Sequence, residues 1–160
     1  MDFQMESISV KAYLKDFYEE ARLKVQGCAV EIQLDNRLKD ERFVIIDRTQ
    51  FGRVLWNLLE NSLKYAGEQN VQMKIILSEE EQKVVLRFED NGPGVEQGAL
   101  EKIFDSFYRT DPARSSLKKG SGLGLSVARE IIESFGGGIY AEASKMGGLA
   151  VVIVLSIAED

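Results

Sequence analysis

The sequence predicts an α+β fold, in which a mixed, mostly antiparallel sheet packs against helices as a two-layer α/β sandwich. Strand-like segments occur in neighbouring pairs. Amphipathic helices separate these pairs, instead of alternating with single strands as in a doubly wound sheet. The length of 160 residues suits one domain with a hydrophobic core. We therefore expect a single domain over residues 1–160.

The N-terminal part of the chain is predicted to contain three strands and a helix. ESISV (6–10) has the pattern of a short strand and leads into an amphipathic helix over about 11–26. CAVEIQL (28–34) and RFVII (42–46) have the pattern of strands, and the polar DNRLKDE is the turn between them. The core candidates of the helix are Tyr13, Leu14, Phe17, Ala21 and Leu23.

The middle of the chain is predicted to form a second helix and a hairpin. Asp47 can cap the helix, which is expected to run to about Ala66 and to end at Gly67. VQMKIIL (71–77) and KVVLRFED (83–90) then form the hairpin, with the acidic SEEEQ as its solvated turn.

The C-terminal part begins with an irregular segment from Asn91 to about Gly120, broken only by the apolar ALEKIFDSFY. A helix follows in GLGLSVAREIIESF (122–135). The chain closes with a second hairpin, in which IYAEAS (139–144) and LAVVIVLSI (149–157) turn at KMGG. An irregular segment of this length is uncommon in a compact domain and is usually a functional lid or disordered.

Composition excludes several classes of function. The net charge is -6 and no basic stripe is present, which argues against nucleic acid as the main partner. No apolar run approaches the roughly 18 residues of a membrane span, so no direct membrane contact is expected. The single cysteine, Cys28, is expected to be a buried strand residue in a reducing cytoplasm. The chain has no histidine, which excludes catalysis or metal binding by histidine within it.

The helix after Asp47 carries polar residues among its leucines. Leucines with helical spacing form an apolar face, and a second group falls largely on the opposite side. This group is Asn57, Asn61, Lys64 and Tyr65. An asparagine oxygen suits Mg²⁺ that keeps several waters and phosphate oxygens, and a lysine one turn further can meet a phosphate. Taken alone, the pattern fits an ordinary solvated face better than a ligand site.

The motif DNGPG (90–94) stands at the end of the strand KVVLRFE. Gly92 and Gly94 permit a tight turn and a close approach of the backbone. Asp90 stands at the mouth of the strand, where its carboxylate can accept a hydrogen bond from an exocyclic amine such as that of adenine. The alternative is a simple Asn-Gly turn after an edge strand.

Two further motifs lie in the irregular segment and at its end. GSGLGL (120–125) opens a helix, and glycines there expose backbone N–H groups toward an anion. The chain has no P-loop pattern, and the motif does not directly follow a strand, which argues against a dinucleotide-binding βαβ unit. IFDSFYR (103–109) can be plain core or the start of a mobile flap, since RTDPARSSLKK after it is too polar to pack.

In this order and spacing the four motifs resemble those of the catalytic and ATP-binding domain of sensor histidine kinases. The resemblance covers nearly the whole chain. It implies the Bergerat-type α/β sandwich that this family shares with the gyrase, heat-shock-90 and mismatch-repair ATPases, with a mobile ATP lid. It also implies ATP and Mg²⁺ as the bound cofactors.

The resemblance implies a role for each motif residue. Asn61 becomes the Mg²⁺ ligand and Asn57 supports the metal or the phosphates. Lys64 contacts phosphate, Tyr65 lines the cleft, and Arg109 reaches the phosphates when the lid closes. The catalytic residues are then Asn57, Asn61, Lys64 and Arg109.

The remaining motif residues would bind the base or shape the lid. Asp90 accepts from the adenine amino group, and Gly92 and Gly94 shape the floor of the pocket. Ile103 contributes to the nucleotide site, and Phe104 and Phe107 anchor the hinge of the lid. The residues expected to pass close to the phosphates or to seat the last helix are Gly120, Ser121, Gly122, Leu123, Gly124 and Leu125.

Position 57 distinguishes branches of this superfamily. The hydrolytic relatives carry a glutamate four residues before the metal-binding asparagine, as a base for the attacking water. This chain has Asn57 there, and an amide cannot take the proton, so efficient ATP hydrolysis is not expected. The neighbouring Glu60 lies on a different part of the helix, and we expect it to be solvated or to support the site indirectly, not to act as the base.

The resemblance also implies partners. The phosphoacceptor of the family is a histidine on a separate dimerisation domain, which this chain does not contain, and the downstream partner is a response regulator. We expect the isolated domain to be a monomer and a cytoplasmic portion of a membrane-anchored sensor. The alternatives are a serine kinase or a hydrolytic ATPase on the same fold, or a non-catalytic interaction module.

Overall fold

The computed structural model describes residues 2–65, 70–105 and 124–158, with the backbone alone at Lys64 and Tyr65. Within these ranges the chain forms strands, α-helices and two single-turn 3₁₀ helices. The strands are β1 (Met5–Ser9), β2 (Val30–Asn36), β3 (Phe43–Asp47), β4 (Val71–Glu80), β5 (Lys83–Asp90), β6 (Gly138–Ala143) and β7 (Leu149–Ser156). The α-helices are α1 (Val10–Lys24), α2 (Arg48–Tyr65) and α3 (Gly124–Ser134), and the 3₁₀ helices are Gln97–Ala99 and Lys102–Phe104.

The described strands form two sheets. β1 and β3 pair antiparallel in a two-stranded sheet, and the other strands form a five-stranded sheet in the order β2-β4-β5-β7-β6. β2 runs parallel to β4, and the remaining neighbours of the larger sheet are antiparallel. The predicted mixed, mostly antiparallel sheet is therefore confirmed, as are the β4–β5 and β6–β7 hairpins.

The segment DNRLKDE (35–41) does not join two paired strands, so its interpretation as the turn between neighbouring strands is wrong. β3 pairs with β1, with Val44 opposite Ile8, whereas β2 pairs with β4, with Ile32 opposite Met73. Parallel strands need a crossover connection, and here β3 and α2 lie within it. The alternating pattern indicates that both segments are strands but carries no information about their partners.

The helices cover one face of the five-stranded sheet. Phe17 of α1 contacts Trp56 of α2, with ring centroids 4.8 Å apart, and Phe88 of β5, with centroids 6.1 Å apart. Phe88 and its alternate neighbour Leu86 belong to the same buried cluster, as does Ile153 of β7. The predicted two-layer sandwich is therefore confirmed. Among the described residues, no helix combines the length and the apolar character that a membrane crossing requires.

The other face of the sheet carries a polar network. Arg87 of β5 forms ion pairs with Glu142 of β6 and with Glu89, the latter at 3.2 Å. The Ser144 hydroxyl donates to Glu89 Oε1 at 3.2 Å. Burial acts to lower the pKa of the Arg87 guanidinium, but its hydrogen bonds to Glu142 and Glu89 outweigh this and raise the pKa above its usual value. The network thus holds the buried Glu89 with a cation and a hydroxyl as partners.

Most core candidates of the first helix are confirmed, but Leu23 is wrong. Leu14, Phe17 and Ala21 are buried, whereas Leu23 is 71% exposed. Leu23 lies two residues after Ala21, which turns it about 200° away from that core position. Tyr13 is half-buried and its hydroxyl donates to the Arg48 carbonyl oxygen at 2.6 Å. Burial raises the pKa of Tyr13 to about 12.

The expectation that Cys28 is a buried strand residue is also wrong. Its side chain is exposed, and β2 begins only at Val30. Gly27 before it has φ +85°, so the chain turns sharply between α1 and β2. Cys28 therefore belongs to this turn, which the apolar-alternating pattern of CAVEIQL concealed.

Candidate functional site

Helix α2 positions the polar residues that the sequence singles out. Asp47 Oδ1 accepts from the backbone N–H of Gln50 at 2.9 Å, which confirms the predicted N-terminal cap. Asp47 Oδ2 accepts from the N–H of Gln4 at 2.8 Å. The hydrogen bond from Gln50 and then that from Gln4 hold the pKa of the Asp47 carboxyl below its usual value. Both ends of this carboxylate are thus used, and α2 begins at a defined residue.

The apolar face of α2 is buried as the leucine pattern predicts. Leu55, Leu58 and Leu59 are each at most 2% exposed, together with Phe51 and Val54 on the same face. This burial fixes the rotation of the helix about its axis. The polar side is consequently directed toward the N-terminus of α3 and the end of β5.

The two asparagines of α2 have different surroundings. Asn57 Nδ2 donates to the carbonyl oxygen of Gly124, the first residue of α3, over a long distance of 3.4 Å. Asn61 is half-buried, and its side-chain amide has no hydrogen-bond partner within residues 2–65, 70–105 and 124–158. Asn57 therefore links two helices, while the amide of Asn61 remains available to a ligand.

Asp90 is the most extensively bonded side chain of the site. It is the last residue of β5 and is 6% exposed. Its Oδ1 accepts from the backbone N–H of Gly92 at 2.9 Å and from that of Leu149 at 3.2 Å. Its Oδ2 accepts from the Ser62 hydroxyl of α2 at 2.9 Å. Three separate parts of the chain thus hold this one carboxylate.

Gly94 of DNGPG is required by a close approach of two turns. Gly94 has φ +68°, and a Cβ there would meet backbone atoms of Gly148 at 3.3 Å. A Cβ on Gly148 would in turn meet the Asp90 carbonyl oxygen and the Gly92 nitrogen, both at 2.6 Å. The Gly148 N–H donates to the Asp90 carbonyl oxygen at 3.1 Å. The turn after β5 and the turn before β7 therefore pack backbone against backbone.

Ile103, Phe104 and Leu125 are buried in the core cluster beside the site. The Arg129 guanidinium lies over the Phe104 ring, 5.2 Å from its centroid, which connects the 3₁₀ helix Lys102–Phe104 to α3. Leu125 is buried in the first turn of α3. These residues are thus part of the hydrophobic core next to the site.

Several predicted site residues lie outside the described residues. They are Phe107, Arg109, Gly120, Ser121, Gly122 and Leu123. The side chains of Lys64 and Tyr65 are likewise not described. From the predicted set, the structure thus pairs Asn57 with Gly124 and groups Asp90 with the turn that holds Gly92 and Gly94. Helix α2 links the two groups, because it carries Asn57, Asn61 and the Ser62 hydroxyl that bonds to Asp90.

Sequence reasoning missed three residues that shape the site. Ser62 and Leu149 bond to Asp90, and Gly148 packs against it. The Gly-Gly pair in KMGG gave no distinct signal for Gly148, because such pairs are common in hairpin turns for conformational reasons alone. No signal marks Ser62 either, since a serine one residue after Asn61 has no distinctive spacing.

A family model, described as histidine kinase-, DNA gyrase B- and HSP90-like ATPase, matches residues 46–159. The chain is 36% identical over 119 residues to the sensor histidine kinase WalK of Bacillus subtilis, covering 74% of this chain and 20% of WalK. It is 36% identical over 129 residues to the signal transduction histidine-protein kinase BaeS of Escherichia coli, covering 81% of this chain and 27% of BaeS. The chain thus spans about a quarter or less of the length of these relatives.

Solved structures agree with this similarity. The catalytic domain of histidine kinase ThkA, in a nucleotide-free form, superposes with a TM-score of 0.79 at 26% identity, covering 96% of this chain and 97% of that domain. A second structure, of ThkA in complex with the response regulator protein TrrA, superposes with a TM-score of 0.76 at 26% identity. That match covers 94% of this chain and 41% of the ThkA chain.

Proposed function

The chain belongs to the family of histidine kinase-, DNA gyrase B- and HSP90-like ATPases, and from this premise we propose that it is the catalytic and ATP-binding domain of a two-component sensor kinase. It binds Mg²⁺-ATP and donates the γ-phosphoryl group to a histidine on a separate dimerisation domain. The observation that carries the proposal is Asp90, a nearly buried carboxylate whose Oδ2 retains capacity for one more donor.

Asp90 fits the adenine base. A carboxylate offers about four acceptor positions, and Gly92, Leu149 and Ser62 fill three of them. The remaining position needs an N–H or O–H donor, which the exocyclic amine of adenine supplies. Gly92, two residues after Asp90, has no side chain that could block access to the carboxylate.

Asn61 fits the metal and phosphate end. Its amide oxygen is a neutral oxygen ligand of the kind that Mg²⁺ accepts beside waters and phosphate oxygens. It is half-buried on the same helix as Ser62, which bonds to the adenine-side carboxylate. Asn57 and Gly124 adjoin it at the start of α3, where backbone N–H groups favour anions. When bound, Mg²⁺ neutralises charge on the phosphates, while Asn61 and Asn57 orient it.

The residues present favour transfer to a protein acceptor over hydrolysis. Asn57 cannot act as a general base, and the chain contains no histidine to accept the phosphoryl group. Phosphoryl transfer depends largely on positioning and charge stabilisation, so this domain can supply ATP to an acceptor carried elsewhere. Such a domain works in the cytoplasm, where Mg²⁺-ATP is available, and a response regulator then receives the phosphoryl group. The complex of ThkA with the response regulator protein TrrA supports a response regulator as a partner.

Calorimetric titration of the chain with Mg²⁺-ATP tests the binding step. We expect a Kd between micromolar and millimolar, and Asp90→Asn should weaken binding at least about tenfold because the amide replaces an acceptor oxygen by a donor. Asp40→Asn, the same change at an exposed position, is the matched control and should bind as the wild type does. Failure of the wild-type chain to bind ATP would overturn the proposal.

Incubation with γ-labelled ATP tests the transfer step. Label should enter an added histidine-bearing two-helix domain in an acid-labile form, while the chain alone releases little phosphate. Rapid release of phosphate by the chain alone would instead identify a hydrolytic ATPase, and acid-stable label on serine would identify a serine kinase.

A further inference from the structure

We propose that Ser62 is a positioning residue that directs the Asp90 carboxylate toward an exocyclic amine and thereby sets the preference of the site for adenine over bases with a carbonyl at that position. The inference rests on the proposed function, because it assigns a role within the same nucleotide site. Ser62 acts through Asp90, not on the reacting phosphates.

Ser62 reaches Asp90 from a different element than the other partners of that carboxylate. The Ser62 hydroxyl of α2 lies 2.9 Å from Asp90 Oδ2, whereas the backbone N–H groups of Gly92 and Leu149 both bond to Oδ1. The N–H groups therefore hold one oxygen, and the only contact that holds the other oxygen within the described residues comes from Ser62. Removal of the hydroxyl would leave Oδ2 without a protein partner in this part of the chain.

The direction of the Ser62–Asp90 hydrogen bond is determined by chemistry. An ionised carboxylate only accepts, so the single hydroxyl proton of Ser62 points to Asp90 Oδ2. Two kinds of acceptor position in this pair then remain unfilled. They are the lone pairs of Ser62 Oγ and the last acceptor position of Asp90 Oδ2. The Ser62–Asp90 pair consequently offers acceptors and no donor to the edge of a base.

This arrangement discriminates between purines. Adenine presents an amine, which donates to Asp90 Oδ2. Hypoxanthine and guanine present a carbonyl at the same position, which would face two acceptors and lose its hydrogen bond to water without replacement. A site built around a specific hydrogen bond rejects a base that cannot make it more strongly than an apolar site would.

The location of Ser62 adds a second consequence. Ser62 follows Asn61 directly, so the hydrogen bond to Asp90 joins the helix that carries the metal-side asparagine to the strand that carries the base-side carboxylate. This hydrogen bond is thus a direct side-chain link between the two ends of the site, in addition to the core packing of α2. A purely structural role would stabilise the fold but would leave the preference between bases unchanged.

The test compares ATP with inosine triphosphate, in which a carbonyl replaces the amine. Calorimetric Kd values for both, with Mg²⁺, are measured on the wild-type chain, Ser62→Ala and Ser62→Thr. We expect the wild type to prefer ATP by about tenfold or more, Ser62→Ala to lose most of that preference through weaker ATP binding, and Ser62→Thr, which keeps the hydroxyl, to retain it. Ser134→Ala, on α3, is the matched control, since its hydroxyl bonds only to the Glu130 carbonyl oxygen among the described residues.

Each outcome bears on the inference. Equal weakening of both nucleotides by Ser62→Ala, or an unchanged preference, would overturn it and leave Ser62 a structural residue. If Ser62→Ala does not fold, the ratio is measured on Ser62→Thr and Ser62→Cys, and a preference that survives in the cysteine variant, with its weak donor, overturns the inference. If Asp90→Asn weakens ATP binding but Ser62→Ala does not, only this inference fails. If the wild type binds neither nucleotide, the proposed function fails with it.

Discussion

At the scale of single residues, the site depends on how closely two backbone turns approach. Gly94 and Gly148 lie against one another, and a Cβ on either would contact backbone atoms of the other turn at 3.3 Å or less. Gly94 also has a positive φ, whereas Gly148 is required by the lack of space beside Asp90. Gly94 is thus required both by its backbone conformation and by the close contact between the turns, whereas Gly148 is required by the close contact alone.

Gly148→Ala should weaken nucleotide binding by about tenfold or more and lower the free energy of unfolding by about 1–3 kcal/mol. The added methyl group meets the Asp90 carboxylate and the backbone on both sides of it, so the acceptor must move. Calorimetry with Mg²⁺-ATP and urea unfolding measure the two effects. Gly138→Ala in the same hairpin has open space around its Cβ and is the control. Unchanged ATP affinity in Gly148→Ala would show that the position of Asp90 tolerates this shift.

At the scale of elements, helix α2 joins the core to the site. Its first turn is capped by Asp47, its apolar face is buried under Leu55 and its neighbours, and its last turns carry Asn61 and Ser62. The cap and the apolar face together determine where the helix begins and how it is rotated. The polar residues near its C-terminal end are placed by features up to four turns away.

Asp47→Asn should change how stability depends on pH. The folded-state pKa of Asp47 lies below its ordinary value, so its contribution to stability is fully present above the pKa of the unfolded chain and is lost as pH falls through the folded pKa. Urea unfolding from neutral pH to about pH 2 should therefore show a steeper acid loss in the wild type than in Asp47→Asn. Asp40→Asn at an exposed site is the control. Parallel pH profiles for wild type and Asp47→Asn would contradict the capping role of the charge.

At the scale of the whole molecule, helices cover one face of the five-stranded sheet, whereas the other face, here called the open face, is buried only in part, with Val152 buried and Val154 half-buried. The covered face packs on α1, α2 and α3, while the open face carries the network of Arg87, Glu89 and Glu142. Residues on opposite faces of one strand therefore have different energetic roles. Val151 belongs to the core cluster beneath the helices, whereas Val154, three residues on, is only half-buried and lies on the open face.

Val151→Ala and Val154→Ala provide a matched test of this asymmetry, because the same two methyl groups are removed from opposite faces of β7. We expect Val151→Ala to cost about 1.5–3 kcal/mol, since the buried cavity cannot fill with water, and Val154→Ala to cost less than about 1 kcal/mol. Urea unfolding of both variants gives the difference directly. Equal losses would mean that both faces of β7 are packed alike.

Much of the fold follows from residue patterns within short segments and could therefore be predicted from the sequence. Periodicity identified the strands and helices to within a few residues, as in the β4–β5 and β6–β7 hairpins, and the Asp47 cap was visible in the sequence. The partners of β2 and β3 were not predictable, because an alternating pattern specifies a buried face but not the strand beside it. Cys28 was misplaced for a related reason. The apolar alternation already starts at Cys28, two residues before β2 begins at Val30.

The sequence by itself determined the elements, the motif residues and the polar side of α2, because these follow from composition and spacing within short segments. Only the tertiary structure decided that Ser62, Gly92, Gly148 and Leu149 converge on Asp90, which lies 28 residues after the first of them and 59 before the last. Such convergence depends on how α2, β5 and β7 pack. The motifs therefore supply the chemical groups of the candidate site, while contacts between distant segments determine the direction of the open acceptor position on Asp90 Oδ2.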